Sequence, residues 1–285
     1  MGILSRAKSA ANAVLRFVNM RVESLTAERV EMSRLSGLQR AGHFDRPIFP
    51  LLPQFSTCDP SIIFSQVKRD KSKFAEVVQL GRSESFPLKN DYFTTPDAEI
   101  LYAIVQLYRP AKIVEVGSGY STQLFRQAIA DAGAKSHLTS IDPDPRQDIV
   151  QYSDTVLRER VETLTDISLF EQLQKNDVLF IDSSHIVKIG NDVTWVALSV
   201  VPQLASGVLI QFHDIFLPYE YPREWMVENR WNWTEQYLVQ ALLTGNDSLA
   251  VLWPGYYLQR TWPNFAAEFK HWRNSTARSL WLQKG

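Results

Sequence analysis

The chain has 285 residues, 30 Lys plus Arg, 31 Asp plus Glu and a net charge of -1, with 45% apolar residues and 12% aromatics. The apolar content excludes a disordered chain, and the balanced charge argues against a nucleic-acid binder. A single cysteine, Cys58, excludes an internal disulfide and fits a reducing compartment, so a cytoplasmic protein is expected.

Ile3, Leu4, Ala7, Ala11, Val14, Leu15, Val18, Val22 and Leu25 recur at spacings of three and four. They predict helix over Met1 to Gly37. Arg and Lys interrupt this stretch too often for a signal peptide. Between Met1 and Arg40 seven Arg or Lys face three Glu. A basic amphipathic helix can lie on a membrane surface, but the Ala-rich face with only Phe17 as a bulky aromatic favours packing on the main domain or on a second subunit. Pro47, Pro50, Pro53 and Pro60 then mark an irregular connector. A further helix is expected over Ser61 to Leu80. Thr95 as N-cap and Pro96 at the first helical position start one that runs to Tyr108.

From Lys112 short apolar runs alternate with helical patterns. Lys112–Val116, His137–Ile141, Val161–Leu164, Asp177–Ile181 and Gly207–Phe212 read as strands. Thr122–Ala132, Asn191–Leu204 and Thr234–Leu243 read as helices. Strands separated by helices imply a doubly wound, mostly parallel α/β sheet. Ser248–Trp253 and Tyr256–Gln259, around Pro254–Gly255, are expected to close it as an antiparallel hairpin. The resulting division is 1–92 as helical appendage and connector, 93–260 as the sheet domain and 261–285 as a helical tail.

In such a sheet, ligands bind beyond the carboxyl ends of the strands. Those ends carry Gly117-Ser118-Gly119-Tyr120-Ser121-Thr122, then Asp142, Asp166, Asp182 with His185, and His213 with Asp214. The Gly117-x-Gly119 loop permits close backbone approach. It lacks the third glycine of the dinucleotide fingerprint, because Thr122 stands there. Asp142, 25 positions after Gly117, can accept hydrogen bonds from vicinal ribose hydroxyls. Together these features point to an adenosine-containing cofactor.

The Glu115-Val-Gly117-Ser-Gly119 loop, Asp142 and the Asp177–Asp182 strand resemble the class I S-adenosylmethionine-dependent methyltransferases. The closer resemblance is to the branch with strand ends Ile-Asp-x-x-His, here Ile181 to His185, and His-Asp, here His213-Asp214. It covers about Phe93 to Gln259, with Ser121 standing where many members have a third glycine. The resemblance implies S-adenosylmethionine as cofactor and a seven-stranded Rossmann-like sheet. Glu115 would help hold the methionine amino group through water, and Gly117, Ser118, Gly119, Tyr120, Ser121 and Thr122 would wrap the methionine backbone. Asp142 would bind the ribose, Asp166 and Ile167 would flank the adenine, and Asp182 would lie beside the transfer centre.

His213 is the first choice for general base, because a pKa near 6.5 suits taking a hydroxyl proton. Asp214 could orient it or act itself, and His185 is the third catalytic candidate. Because neighbouring strand residues point opposite ways, which of these face the pocket stays open. A divalent metal on Asp182 and Asp214 is the less favoured alternative. The expected reaction is O-methylation of a small-molecule hydroxyl, on a sugar or a secondary metabolite. A nicotinamide-dependent oxidoreductase and a non-catalytic cofactor-binding scaffold are the competing classes. Tyr219, Tyr221, Trp225, Trp231 and Trp233 follow the fifth strand and are expected to line the acceptor side. No nucleic-acid partner and no transmembrane segment are expected, and the oligomeric state stays open.

Overall fold

The computed structural model describes residues 3–79, 86–271 and 275–285. Leu80 and Trp272 lie outside these residues. The chain forms two compact units.

The smaller unit comprises Met1–Arg46 and Pro222–Trp231. The helix expected over Met1 to Gly37 is two helices, α1 (Ile3–Leu15) and α2 (Thr26–Arg40), with a short 3-10 turn at Arg16–Val18 after the first. Asn19 breaks the run by taking a left-handed conformation at φ 54, which asparagine tolerates better than most residues. Pro222–Trp231 adds a π-helical turn at Glu224–Glu228, where Trp225 and Trp231 pack with ring centroids 5.1 Å apart. Arg230 pairs with Glu28.

The larger unit, Pro47–Tyr221 with Asn232–Gly285, is built on a seven-stranded sheet in the order β3-β2-β1-β4-β5-β7-β6. The strands are β1 (Lys112–Val116), β2 (His137–Ile141), β3 (Thr155–Leu157), β4 (Val178–Ile181), β5 (Leu209–Phe212), β6 (Leu249–Pro254) and β7 (Leu280–Lys284). The first five pair in parallel, and β7 runs antiparallel to both β5 and β6. The helices are α3 (Pro53–Ser56), α4 (Ser61–Val77), α5 (Asp97–Tyr108), α6 (Tyr120–Ala132), α7 (Ser168–Glu171), α8 (Asp192–Trp195), α9 (Glu235–Leu243) and α10 (Gly255–Thr261).

Every residue of β4 and of β5 is buried, as a sheet covered on both faces requires. Side-chain alternation then sorts the strands into two cores. Ile113, Leu138, Phe180, Leu209, Trp253 and Trp281 pack with α4, α5 and α6. Val114, Ile141, Leu179, Ile210, Phe212 and Leu282 pack on the other face with α9 and the helical run that follows α8.

Three expectations are corrected. The third strand is Thr155–Leu157, while Val161–Thr163 is a 3-10 turn. Tyr256–Gln259 does not form the closing strand, because it lies in α10, and its place is taken by Leu280–Lys284. The tail 261–285 therefore ends as a strand inside the sheet, with Leu280, Trp281 and Leu282 buried, and not as a helix. The connector expected to lie with the appendage also supplies core, since Phe55, Phe64, Val67 and Phe74 are all buried.

Candidate active site

The strand register assembles the site. Val116 pairs with Ile141 and Ile181, and Ile181 pairs with Phe212. The next residues, Asp142, Gly117, Asp182 and His213, therefore stand side by side one step past the carboxyl ends. Asp182 N–H donates to Val116 O at 2.9 Å and His213 N–H to Ile181 O at 2.9 Å, which extends the ladder through this row.

Gly117 is dictated by that ladder. Its φ is +80, and a Cβ there would stand 1.8 Å from the Asp182 carbonyl oxygen, so only glycine lets β1 and β4 end together. Gly119 differs: the space its Cβ would enter is open. Its N–H donates to Thr122 Oγ1 at 3.0 Å, which turns the loop into α6.

Glu115 lies beneath this loop, fully buried. It accepts hydrogen bonds from Ser121 Oγ at 2.7 Å, Thr122 Oγ1 at 2.6 Å and Ser140 Oγ at 2.9 Å. Burial pushes its carboxyl up to about 7 against the pull of these three donors, and the Asp182 charge adds to the rise. Glu115 thus clamps the loop from below through two of the loop's own hydroxyls. Ser118 N–H and Oγ both reach Asp142 Oδ2, at 2.9 and 3.2 Å, and Asp144 N–H donates to Asp142 Oδ1 at 2.9 Å. Oδ2 thus has both lone pairs engaged, and Oδ1 can still accept one further bond. Tyr120 stacks on Tyr92 at 6.3 Å, and Arg146 lies over the Tyr92 ring at 4.8 Å. Asp166 is exposed and its Oδ1 accepts the Ser168 N–H at 2.8 Å. Ile167 is half-buried in the second core. No hydrogen bond or ion pair among the described residues ties either to the loop or to Asp142.

Beyond β4 and β5 the acids and imidazoles converge. His185 Nε2 lies 3.2 Å from Asp182 Oδ1 and 3.6 Å from Asp214 Oδ2, and its Nδ1 lies 2.9 Å from Glu235 Oε2. Burial opposes its charge, but the bonds to Asp182 and Glu235 and the nearby Asp214 hold the imidazole well above its ordinary pKa. Asp182 is half-buried, and although desolvation opposes its charge the neighbouring His213, His185 and Arg146 hold it down at about 2. Trp233 covers the His185 ring at 4.3 Å.

His213 is buried beside this group. Its Nδ1 lies 3.4 Å from both Ser279 Oγ and Gln211 Nε2, while its Nε2 has no hydrogen-bond partner. Adjacent residues in a strand would point to opposite faces, but Asp214 adopts φ 55. That left-handed turn returns its carboxylate toward the imidazole, with Oδ1 4.0 Å from His213 Nε2 and 3.6 Å from Arg278 Nη1. Both residues therefore belong to one cluster. Asp182, His185 and Asp214 each offer a ligand atom within 4.8 Å of the others, so the set could in principle grip a metal ion.

Four participants were not singled out from the sequence. Glu235 is 50 positions from His185 and carries no local signal. Arg278 and Ser279 lie in the tail expected as helix. Asp97, at the start of α5, accepts the backbone N–H of Arg278 at 2.9 Å and of Ser279 at 3.1 Å, so it fixes the entry to β7 beside His213. The aromatic stretch divides. Tyr221 is buried and receives the Gln236 N–H at 3.0 Å, Tyr219 packs on Tyr256, Trp233 meets His185, and Trp225 and Trp231 belong to the smaller unit.

Residues 114–215 match the model of a family described as a methyltransferase domain, from within β1 to just past β5. No curated protein sequence matches. Among solved structures the chain is similar to an S-adenosylhomocysteine-bound methyltransferase of Podospora anserina, at 12% identity and a TM-score of 0.42 over 93% of this chain and 99% of that one. It is also similar to the plantazolicin methyltransferase BpumL with S-adenosylhomocysteine, at 11% identity and a TM-score of 0.40 over 90% of this chain and 100% of that one. A third is a branched-chain polyamine synthase from Thermus thermophilus, at 12% identity and a TM-score of 0.39 over 89% of this chain and 78% of that one. Family match and strand order point the same way: residues 114–215 match a methyltransferase domain, and they lie on a mostly parallel seven-stranded sheet.

Proposed function

We propose that the protein methylates an oxygen of a small-molecule hydroxyl, on a sugar or a secondary metabolite, with S-adenosylmethionine as donor and His213 as general base. The observation that carries this reading is the buried His213 Nε2, free of any hydrogen-bond partner and set next to Asp182 at the end of the sheet. We assign the imidazole proton to Nδ1, where it donates to Ser279 Oγ, an arrangement that leaves Nε2 a lone pair for an acceptor proton.

The residues fit the cofactor. Gly119 leaves open space on the loop, and Asp142 retains acceptor capacity at Oδ1 for a ribose hydroxyl, with Oδ2 open to a second only by giving up the Ser118 Oγ bond. When bound, S-adenosylmethionine supplies an electrophilic methyl group. Ser118 and Thr122 fix the loop against Asp142 and Glu115, which holds the binding surface in one shape. Asp182 presents a permanent negative charge near the transfer centre. The acceptor oxygen would be aligned for attack by the same surface, where orientation contributes much of the rate, and His213 Nε2 would take its proton.

Both nitrogens of His185 face carboxylates, so we assign it as a positioning residue: a fixed cation that holds Asp182, Asp214 and Glu235 together. We keep the metal-free mechanism ahead of a metal on Asp182 and Asp214, which would have to displace the proton that the surrounding carboxylates hold on His185. Trp233, packed at a tilt over His185, is the aromatic side chain best placed to contact the acceptor.

Methyl transfer to a panel of sugar and phenolic hydroxyls, measured with wild type and His213→Gln, tests the reading. Turnover retained in His213→Gln refutes the base assignment, and methyl transfer to amines added to the panel with none to any hydroxyl refutes O-methylation.

A further inference from the structure

The smaller unit has an unusual surface. None of its described residues is buried, and among the described residues it holds eight of the sixteen large apolar side chains that stand exposed, although it contains about a fifth of the chain. A helical unit with no buried side chain gains little from hydrophobic burial on its own, and contiguous exposed apolar surface marks an interaction site.

The apolar residues are not scattered. Val14 lies in the last turn of α1, and Phe17, Val18, Met20, Val22 and Leu25 fall in the turn between α1 and α2, with Phe17 88% exposed and Val14 69%. Val14, Phe17 and Val18, at spacings of three and four, share one side. The turn is built rather than loose: Asn12 Nδ2 donates to Val22 O at 3.0 Å and Asn12 Oδ1 accepts the Val22 N–H at 2.5 Å. Charge accompanies the apolar tip. The unit carries ten Lys or Arg against six Asp or Glu, within a chain whose net charge is -1. Glu23, Glu31 and Glu28 are matched by Arg21, Arg34 and Arg230. Lys8, Arg16, Arg29 and Arg40 are left without an acidic partner among the described residues.

We infer that this turn is a docking surface for an anionic lipid bilayer, with Phe17 and its apolar neighbours entering the headgroup boundary and the surplus cations meeting lipid phosphates. Charge complementarity decides between this occupant and a second copy of the chain. A copy pairing through the same face would bring two cationic surfaces together, whereas an anionic membrane relieves both the exposed apolar area and the charge.

The test is co-sedimentation of the full chain with vesicles of phosphatidylcholine, with and without about a third phosphatidylglycerol. Binding is expected to the anionic vesicles, to fall steeply with added salt, and to be weak on phosphatidylcholine alone. The double variant Arg16→Ser, Arg29→Ser should lose about thirtyfold in partitioning, at about fivefold per arginine. Phe17→Ser should lose about tenfold or more. Equal binding to both vesicle types, no binding to either, or unchanged partitioning of Phe17→Ser overturns the inference. So does a dimer in sedimentation velocity that Phe17→Ser splits while vesicles leave the protein in solution.

Discussion

Glu115 makes the buried side of the site measurable. Its carboxyl is fully enclosed, and burial lifts it from its ordinary 4.5 to about 7 even with three hydroxyl donors on it. Between these two pH values the unfolded chain releases a proton that the folded chain keeps. The folded state then binds more protons, so stability falls as pH rises through this window and levels off above it. At about 1.36 kcal/mol per pH unit the loss is roughly 3 kcal/mol. Glu115→Gln keeps the shape and removes the titration. Urea unfolding followed by tryptophan fluorescence, run on both proteins from pH 4.5 to 8, should show wild type losing about 3 kcal/mol relative to the variant as pH rises. Contributions from every other titrating group cancel in the difference, and the amide adds only a constant offset. Two stability curves that run parallel across this range would refute the assignment of Glu115 as a buried, high-pKa clamp.

Gly117→Ala should destabilise the protein by several kcal/mol, read as a large drop in Tm, because the new methyl meets the Asp182 backbone in a left-handed conformation. Asp142→Asn should weaken S-adenosylmethionine binding by about tenfold to a hundredfold in calorimetry, the worth of charge-assisted hydrogen bonds to the ribose, while leaving Tm nearly unchanged. His213→Gln should lower kcat by about a hundredfold to ten-thousandfold with little change in cofactor Kd. Removal of divalent metals with a chelator should leave turnover intact, and a loss restored by Mg²⁺ would return Asp182 and Asp214 to the role of metal ligands.

The sheet was legible wherever local pattern sufficed. β1, β2, β4 and β5 announce themselves as short apolar runs, and Gly133 marks the end of α6 with a left-handed conformation at φ 58. The loop around Gly117 and the acids at the strand ends could be found because chain direction alone puts them at one edge. What failed was pairing at long range. Nothing near Leu280–Lys284 distinguishes a central strand from a tail, since its partners β5 and β6 are far back along the chain. Val161 and Leu164 are apolar enough for a strand, but the register of β2 selects Thr155–Leu157. His185 and Asp214 were visible as chemistry, whereas their roles depend on Glu235 and Arg278, which no spacing rule connects to them. The tryptophans mislead in a similar way: Trp253 and Trp281 are fully buried on the sheet and serve packing, and among the described tryptophans Trp233 alone meets the acid–imidazole group.

The insertion of β7 between β5 and β6 ties chemistry to completion of the fold. Among the described residues β6 has no sheet partner other than β7, and the residues leading into β7 are Arg278, beside Asp214, and Ser279, beside His213. A folding intermediate could assemble the five parallel strands, the glycine loop and Asp142, and so gain the surface that holds a cofactor. It would still lack Arg278 beside Asp214 and Ser279 beside His213, the residue proposed as base. Such a species could bind without reacting, which leaves a half-made enzyme silent instead of indiscriminate.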